Sequence, residues 1–362
     1  MNRKILSVLL LIPLISEAQR INLPLNGFRA DDSLEKQEYS ATQFDIAGQD
    51  GVWSLENVET VSKPFVTSYI CTGDTLIQTE RGNRNLFTLQ GQQFVGSENN
   101  QTVITYDLPE MWLHFPMTCG DSIGGYFSGK GKYCDRLFLR RYGTYMTKAD
   151  AKGAIVLPDG NTLGNVIRLH TVRYVCSVSA PIDTLKHDIP AFTVDSIVRN
   201  MSVDPDITRE DVYRWYSEGY RYPVIEVTET SKGEDIISRE VVCCLPSVQE
   251  QLAFDEGNRE IRQRVDTHPE DDLKESDANL VYEVEESGGN GTIEVSYRLA
   301  SPAHVRSVLA DIRGFVIRKS EEFCEAGKDY RISFSTNGLR RGQYVFRIGT
   351  ENEHYSEKFD IR

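Results

Sequence analysis

The chain is poor in basic residues and in histidine, and each shortage argues against certain classes of partner or site. It has 40 Lys and Arg residues against 54 Asp and Glu residues, so its formal net charge is −14 at pH 7. An acidic chain of this kind is a poor partner for nucleic acid or for an anionic membrane surface. Its six His residues include no pair with helical i, i+4 spacing and no His-Glu-x-x-His motif. We therefore predict no metal site and no cofactor.

Cysteine is too scarce for a disulfide scaffold. There are seven Cys residues in 362, and none of them belongs to a Cys-x-x-Cys motif. Cys119 and Cys134 are the favoured disulfide pair because they are close in sequence, although sequence alone does not fix connectivity. The adjacent Cys243 and Cys244 would face opposite sides of a strand, so we expect one of these thiols to be buried.

Long hydrophobic runs are also missing, apart from one at the start of the chain. Arg3 and Lys4 precede an apolar run at 5–15, and Ser-Glu-Ala follows at 16–18. This arrangement predicts a signal peptide over residues 1–18. The run is shorter than the about 20 apolar residues that cross a bilayer, and no later run approaches that length. No membrane span is expected.

The length and the local composition predict two domains. At about 150 residues per domain, the mature chain has room for two. We place a β-rich N-terminal domain at 19–247, a charged linker at 248–277 and a C-terminal domain at 278–362. Within the linker, residues 248–265 favour a short helix, and the acidic run at 266–277 carries too little apolar surface to order itself.

The N-terminal domain has the pattern of many short strands separated by turns. A strong turn signal, Leu-Pro-Asp-Gly-Asn at 157–161, precedes a long alternating strand at 165–175. Further strands are predicted at 224–227 and 241–245, and helical periodicity is nearly absent. We therefore predict an all-β protein whose N-terminal domain is an antiparallel, β-sandwich-like structure.

The last stretch of the chain alternates with a period of two, which is the strand signal. Apolar residues alternate with polar ones at 331–335, 343–348 and 355–362, and Asn337-Gly338 and Arg341-Gly342 supply turns. The final strand should be paired into a sheet. We predict a small Ig-like, Greek-key β-sandwich for the C-terminal domain.

Three motifs near this end resemble the type A C-terminal sorting domain of proteins exported by the type IX secretion system. They are Asp-x-x-Gly at 311–314, Leu-x-x-Gly-x-Tyr at 339–344 and the basic Lys358 in the last strand. Phe315 departs from the pattern, since the family usually has Arg or Lys there. The resemblance implies handling by outer-membrane secretion machinery. The alternative is a periplasmic protein whose Ig-like end domain has no sorting role.

The larger domain carries a second resemblance, to exported proteins of the same sorting class. Three blocks, at 120–127, 157–170 and 213–223, look like blocks common in those proteins. The resemblance covers about residues 110–230. It implies an architecture and brings no assigned activity or catalytic residue with it.

One motif suggests a hydrolase. Gly-Asp-Ser-Ile-Gly at 120–124 satisfies Gly-x-Ser-x-Gly and also resembles the Gly-Asp-Ser block of a lipase and esterase family. The nucleophile elbow needs a helix after Ser122, but the following glycines favour a turn or a strand. The lipase family also needs a late Asp-x-x-His, and Asp183 and His187 are one residue too far apart. We favour a β-turn and predict no catalytic residue.

Two further groups have both a structural and a functional interpretation. His170 lies on the same strand face as Arg168 and could line a cleft, but we favour a structural histidine that is hydrogen-bonded within the protein. The aromatic cluster at 213–222 could bind sugar or peptide, whereas burial would place Trp215 in the core, the interpretation we favour. We expect a secreted or cell-surface, non-enzymatic protein that is structural or binds a glycan or a protein. The alternative is an extracellular hydrolase using Ser122.

Overall fold

The computed structural model describes residues 20–89, 92–182, 192–204, 206–266, 280–287, 292–311, 316–336, 338–350 and 354–361. Strands dominate these residues, so the predicted all-β class is confirmed. The predicted signal peptide at 1–18 and almost all of the acidic run at 266–277 lie outside the described residues.

The N-terminal region is built from strands β1 to β15. Their bounds are β1 (Arg20–Ile21), β2 (Ser33–Tyr39), β3 (Val52–Ser54), β4 (Phe65–Thr72), β5 (Thr75–Glu80), β6 (Asn83–Thr88), β7 (Gln93–Glu98), β8 (Thr102–Met111), β9 (Met117–Thr118), β10 (Ser122–Tyr133), β11 (Leu137–Val156), β12 (Thr162–Pro181), β13 (Thr208–Ser217), β14 (Ile225–Lys232) and β15 (Asp235–Cys243).

Twelve of the described strands form one antiparallel sheet that closes on itself. Around the sheet they follow chain order, β2-β4-β5-β6-β7-β8-β10-β11-β12-β13-β14-β15, and β15 then pairs with β2. We call this last pairing the seam; it joins residues 37–39 to residues 241–243. β3 runs parallel to β11 beyond the end of β10, and β1 pairs with β9. Two packed sheets of a sandwich are not confirmed in this region.

Tight turns join several of the strands that are neighbours both in sequence and in the sheet, such as β4 to β5, β5 to β6 and β14 to β15. In the predicted turn at 157–161, Gly160 has a φ of +85°, which glycine adopts without a Cβ clash. The Leu157 N–H donates to the Asn161 carbonyl at 2.8 Å. The turn prediction is therefore confirmed, and it joins β11 to β12. Both strands are longer than the predicted 165–175 segment, because paired polar residues extend each of them.

Both faces of the closed sheet are covered over much of its surface. Alternation along β13 turns Tyr216 to the inside, and turns Tyr213 and Trp215 to the outside. A layer formed by the segment 40–62 packs on the outside, where the rings of Trp53 and Trp215 are 5.8 Å apart. Trp215 is fully buried, so its predicted core position is confirmed.

The segment 20–32 plugs one end of the closed sheet. It contains the short helix α1 (Leu23–Asn26), and Phe28 packs against the rings of Tyr69 and Tyr222, which stack on each other 5.0 Å apart. Arg221 holds the plug in place, since its guanidinium donates to the carbonyl groups of Pro24 and Gly27, each at 2.9 Å. The plug fills this end of the interior with apolar side chains.

Three more helices among the described residues connect or cover the strands. They are α2 (Val194–Met201), α3 (Pro246–Gln249) and α4 (Glu256–Asp266). Residues 248–265, for which the sequence favours a short helix, contain part of α3 and nearly all of α4. Within the described parts of the chain, every helix is too short or too polar to cross a membrane.

The C-terminal region consists of two smaller sheets. Its strands are β16 (Leu280–Ser287), β17 (Thr292–Leu299), β18 (Ala303–Asp311), β19 (Val316–Cys324), β20 (Asp329–Ser335), β21 (Gly342–Gly349) and β22 (His354–Ile361). One sheet has the order β16-β17-β20 and the other the order β19-β18-β21-β22. Both contribute to one apolar cluster, in which the rings of Phe334 and Phe346 are 5.2 Å apart.

The predicted strands of the last stretch are confirmed. Tyr344, Phe346 and Ile348 are buried on one face of β21, as the period of two predicts. β22 covers the predicted final strand up to Ile361 and pairs with β21 along its length. Of the sorting-like motif at 311–314, only Asp311 is among the described residues.

Both cysteine expectations are wrong. Cys119 precedes β10 and Cys134 follows it, and both thiols are free and exposed. Twelve extended residues separate them by roughly 40 Å, far beyond the Cα distance of about 7 Å that a disulfide allows. Cys243 and Cys244 are both buried, because the inner and outer faces are both covered at this point of the sheet.

Candidate functional site

The closed sheet encloses a cavity of about 580 Å³. Residues of eleven of its twelve strands line this cavity, so it lies in the interior of the sheet. Its volume falls within the range of about 300–1,000 Å³ that is usual for small-molecule sites. The cavity is therefore the candidate functional site.

The cavity runs from an exposed rim to a buried floor. Arg81 and Asn99 are exposed at the rim, whereas Tyr69, Tyr216 and Tyr222 are buried at the floor. Phe28 of the plug also contributes to the lining. A ligand would enter at the rim, because the plug fills the opposite end.

Strand alternation brings charged side chains into this interior. On β13 the inward residues are Glu210, Val212, Arg214 and Tyr216, and on β14 they are Glu226 and Thr228. These positions alternate with mostly apolar residues that face the covered outer side. The interior consequently holds a band of charged groups between the rim and the apolar plug.

One ion pair of this band joins β2 to β5. Lys36 Nζ lies 2.8 Å from Glu80 Oε2, and the Thr67 hydroxyl donates to the same oxygen at 2.5 Å. Burial lowers the pKa of Lys36, but the carboxylates of Glu80 and Glu226 outweigh it and leave this pKa above its ordinary value. Burial likewise raises the pKa of Glu80, and Lys36 with Thr67 brings it below the ordinary value. Each partner keeps the other charged.

A second pair lies beside the one tryptophan of the lining. Arg214 Nε donates to Glu226 Oε2 at 2.6 Å, and the Arg214 guanidinium carbon is 4.2 Å from the ring centroid of Trp112. The guanidinium therefore stacks on the indole as well as pairing with a carboxylate. This arrangement fixes the orientation of Trp112 at the cavity wall.

The third group is a network of four charged side chains. Arg141 Nη2 lies 2.5 Å from Glu210 Oε1, and Arg173 Nη1 lies 2.5 Å from Glu210 Oε2. Arg173 Nη2 also lies 2.8 Å from Glu110 Oε2, in a geometry outside that of a hydrogen bond. Burial raises the pKa of Glu210, yet the two guanidinium groups hold it below its ordinary value. Burial keeps the pKa of Glu110 above its ordinary value, because Arg173 offsets it only in part.

Several buried polar atoms of this interior have no hydrogen-bond partner among the described residues. They are Arg141 Nε, Arg173 Nε, Tyr106 Oη, Tyr216 Oη and Glu110 Oε2. Such a group costs about 1–3 kcal/mol when it is left unsatisfied. Of these residues, Arg141, Arg173 and Tyr216 line the cavity, where a polar ligand or water could approach them.

The rim is held together across the seam. Arg81 follows β5, and its Nη2 lies 2.7 Å from Glu38 Oε2 on β2. The same guanidinium pairs with Glu240 on β15 and stacks 3.7 Å from the ring centroid of Phe65. One side chain thus ties together both strands of the seam at the mouth of the cavity.

Ser122, the residue of the hydrolase alternative, lies outside this site. It is the exposed first residue of β10, opposite Lys148, and β10 continues as a strand through Gly124 and Gly125. The strand–elbow–helix context of the Gly-x-Ser-x-Gly motif is therefore absent at these residues. No described histidine forms a hydrogen bond with Ser122, and Asp183 and His187 lie outside the described residues.

His170 is on the outer face, away from the cavity. Its Nε2 lies 2.7 Å from Asp211 Oδ1, and its ring stacks on Tyr213 with centroids 4.1 Å apart. Arg168, on the same face, forms a bidentate pair with Asp150. These contacts show that His170 is the hydrogen-bonded structural histidine favoured from the sequence.

The sequence interpretation missed the charged interior. The alternation of Glu210 and Arg214 with Tyr213 and Trp215 is visible in the sequence, but charged faces normally lie in solvent. Only closure of the sheet turns that face inward. Within the described residues, no group of three or more His, Cys, Asp or Glu side chains is arranged to hold a metal ion.

The chain matches no protein-family model, and no curated protein is significantly similar to it. Its function is therefore inferred from the chemistry of the cavity itself.

The Lys36–Glu80 pair makes a prediction about stability and pH. Because the folded pKa of Glu80 is lowered, its contribution is present above the unfolded pKa of about 4.3 and is lost as the pH falls through the folded value. Glu80→Gln should cost about 3 kcal/mol at pH 7, since Lys36 stays buried without its partner. It should also flatten the acid limb of the unfolding free energy, measured by urea denaturation from pH 3 to 7.

The matched control is Asp206→Asn, which breaks the exposed pair between Lys232 and Asp206. Their side chains are 52% and 73% exposed, so the loss should stay below about 1 kcal/mol. Equal losses for the two variants, or an unchanged acid limb in Glu80→Gln, would contradict a buried charge pair.

Proposed function

We propose that the mature chain is a secreted or cell-surface, non-enzymatic protein that binds a glycan inside its N-terminal closed sheet. The observation that carries this proposal is the cavity, which places aromatic, amide and charged groups around one interior space. An enclosed site of this size suits a short oligosaccharide or another small solute better than a folded protein partner.

The chemistry of the lining supports a polyhydroxy ligand. Gln78, Asn83 and Asn85 supply amide donors and acceptors on two adjacent strands, and the ion pairs supply charged ones. Trp112 and the floor tyrosines add flat apolar surface, on which the C–H face of a sugar ring can pack. Hydroxyl groups on a ring would meet both kinds of surface at once.

The energetics of buried ion pairs also favour a ligand-binding role for the charged residues over a purely structural one. A buried ion pair often stabilises a fold no better than apolar side chains of the same volume. The plug end of the same interior is filled with aromatic and aliphatic residues, so the sheet accommodates an apolar interior. The charged band between Lys36 and Glu210 is therefore better explained by ligand recognition than by folding.

The C-terminal region fits the same proposal as an export module. We infer a small Ig-like, Greek-key β-sandwich that resembles the type IX sorting domain and is recognised by outer-membrane secretion machinery. The support is the shared core of its two sheets, the positive φ of +86° at Gly338 and the paired final strand β22. The N-terminal signal pattern at 1–18 supplies the first export step.

The binding proposal predicts that filling the cavity abolishes glycan binding. Thr228 lines the cavity and belongs to none of its ion pairs, so Thr228→Trp should block the site with little loss of charge pairing. We expect calorimetric titration with a panel of neutral and acidic di- and trisaccharides to find a ligand for the unmodified protein. The variant should bind that ligand at least about tenfold more weakly.

The control is Ile237→Trp, at a residue that is 62% exposed and outside the cavity lining, which should leave affinity unchanged. Near-ultraviolet circular dichroism establishes that both variants are folded. A panel in which no saccharide binds, or in which tripeptides of similar size bind instead, would contradict the glycan proposal.

The export proposal predicts where the chain is found. In cells that possess type IX secretion, the full chain should lose residues 1–18 and be digested by protease added to intact cells. Deleting residues 278–362 should retain the remainder in the periplasm. A full chain that is protected from protease and is recovered with the periplasmic fraction would support the periplasmic alternative instead.

A further inference from the structure

At the cavity wall, and buried next to it, is a cluster of donors whose hydrogens have no acceptor among the described residues. They are Arg141 Nε, Arg173 Nε and the hydroxyl of Tyr106. The Arg173 side chain is 8% exposed, and Tyr106 is buried. Both arginines line the cavity, so an acceptor within it could reach them.

These three donors lie close to one another. Arg141 and Arg173 contact opposite oxygens of the Glu210 carboxylate, which places the two guanidinium groups on either side of it. Arg173 lies over the ring of Phe127 at 5.0 Å, and the ring of Tyr106 is 6.0 Å from that same ring. Arg141 on β11 and Arg173 on β12 line the cavity, and Tyr106 on β8 lies near Arg173, beside this part of the lining.

Their chemistry selects the ligand group. A guanidinium N–H can only donate, and a tyrosine hydroxyl donates readily, so the complement is a group with several acceptor oxygens. The local carboxylates do not fill this need, because Glu210 is shared by two arginines and Glu110 Oε2 already lies 2.8 Å from Arg173 Nη2. Donors exceed free acceptors. A carboxylate, which accepts through two oxygens and pairs with guanidinium groups, fits this surplus.

We propose that Arg141, Arg173 and Tyr106 form a carboxylate subsite, and that the glycan bound in the cavity carries a uronic acid. This inference rests on the proposed glycan-binding function and names its substrate class. The sugar carboxylate pairs with the two guanidinium groups and accepts from the tyrosine. The remaining hydroxyl groups meet the amide and aromatic lining nearer the rim and the floor.

The test compares trigalacturonate with its methyl-esterified form by calorimetry at fixed ionic strength. The two ligands share ring number and linkage, so they differ only at the carboxyl groups, where the ester carries a methyl group and no charge. We expect the acid to bind at least about tenfold more tightly than the ester.

Two variants probe the subsite and keep the buried ion pair between Arg173 and Glu210. Arg141→Gln leaves Glu210 paired with Arg173, and Tyr106→Phe removes only a hydroxyl. Arg141→Gln should weaken binding of the acid by about tenfold and of the ester by less than about twofold, and Tyr106→Phe should act in the same direction. The controls are Arg239→Gln and Tyr174→Phe on the outer face, which should change neither affinity.

The outcomes separate this inference from the proposal beneath it. If the acid and the ester bind equally, or Arg141→Gln leaves their ratio unchanged, the carboxylate subsite is wrong while glycan binding stands. If neither ligand binds and the wider saccharide panel is also negative, glycan binding itself is overturned, and the subsite with it.

Discussion

The whole N-terminal structure depends on the seam between the first and last strands of its meander. Every other pairing around the closed sheet joins two of its twelve strands that are next to each other in chain order, whereas the seam joins residues 37–39 to residues 241–243. Closing the sheet removes its two free edges, each a row of unpaired backbone groups. It also converts one sheet face into an interior, which the chain must then fill. Arg81 reinforces this closure by pairing with one carboxylate on each of the two strands.

The interior is filled in two different ways along its length. At one end the plug inserts Phe28 among tyrosine and phenylalanine rings, held by the guanidinium of Arg221. Towards the rim the walls carry ion pairs, and a cavity remains between them. Desolvating those charges is costly, and the chain offsets the cost by pairing Lys36, Arg173 and Arg214 with carboxylates. The result is a rigid wall of polar groups, several of which still lack partners, and this is the arrangement from which ligand binding is inferred.

The parts of the fold that follow local rules could be predicted from the sequence. Alternation identified the strands that end the chain, and the Pro-Asp-Gly-Asn signal identified the turn at 157–161, because each depends on residues close together. The burial of Trp215 followed from the rarity of large exposed apolar patches. The closure could not be predicted, since the seam joins residues about 200 positions apart. For the same reason, the sequence did not reveal that Glu210 and Arg214 face the interior. The Cys119–Cys134 pairing failed because closeness in sequence was taken for closeness in space, although a whole strand lies between the two residues.

Backbone amide hydrogen exchange at the seam, followed residue by residue by nuclear magnetic resonance, tests closure most directly. In a closed sheet, the hydrogen-bonded amides of residues 37–39 and 241–243 should be protected to an extent similar to those of β12 and β13. Fast exchange at both sets of residues, together with strong protection in β12 and β13, would mean that β2 and β15 are free edges. The interior cavity would then not exist as described.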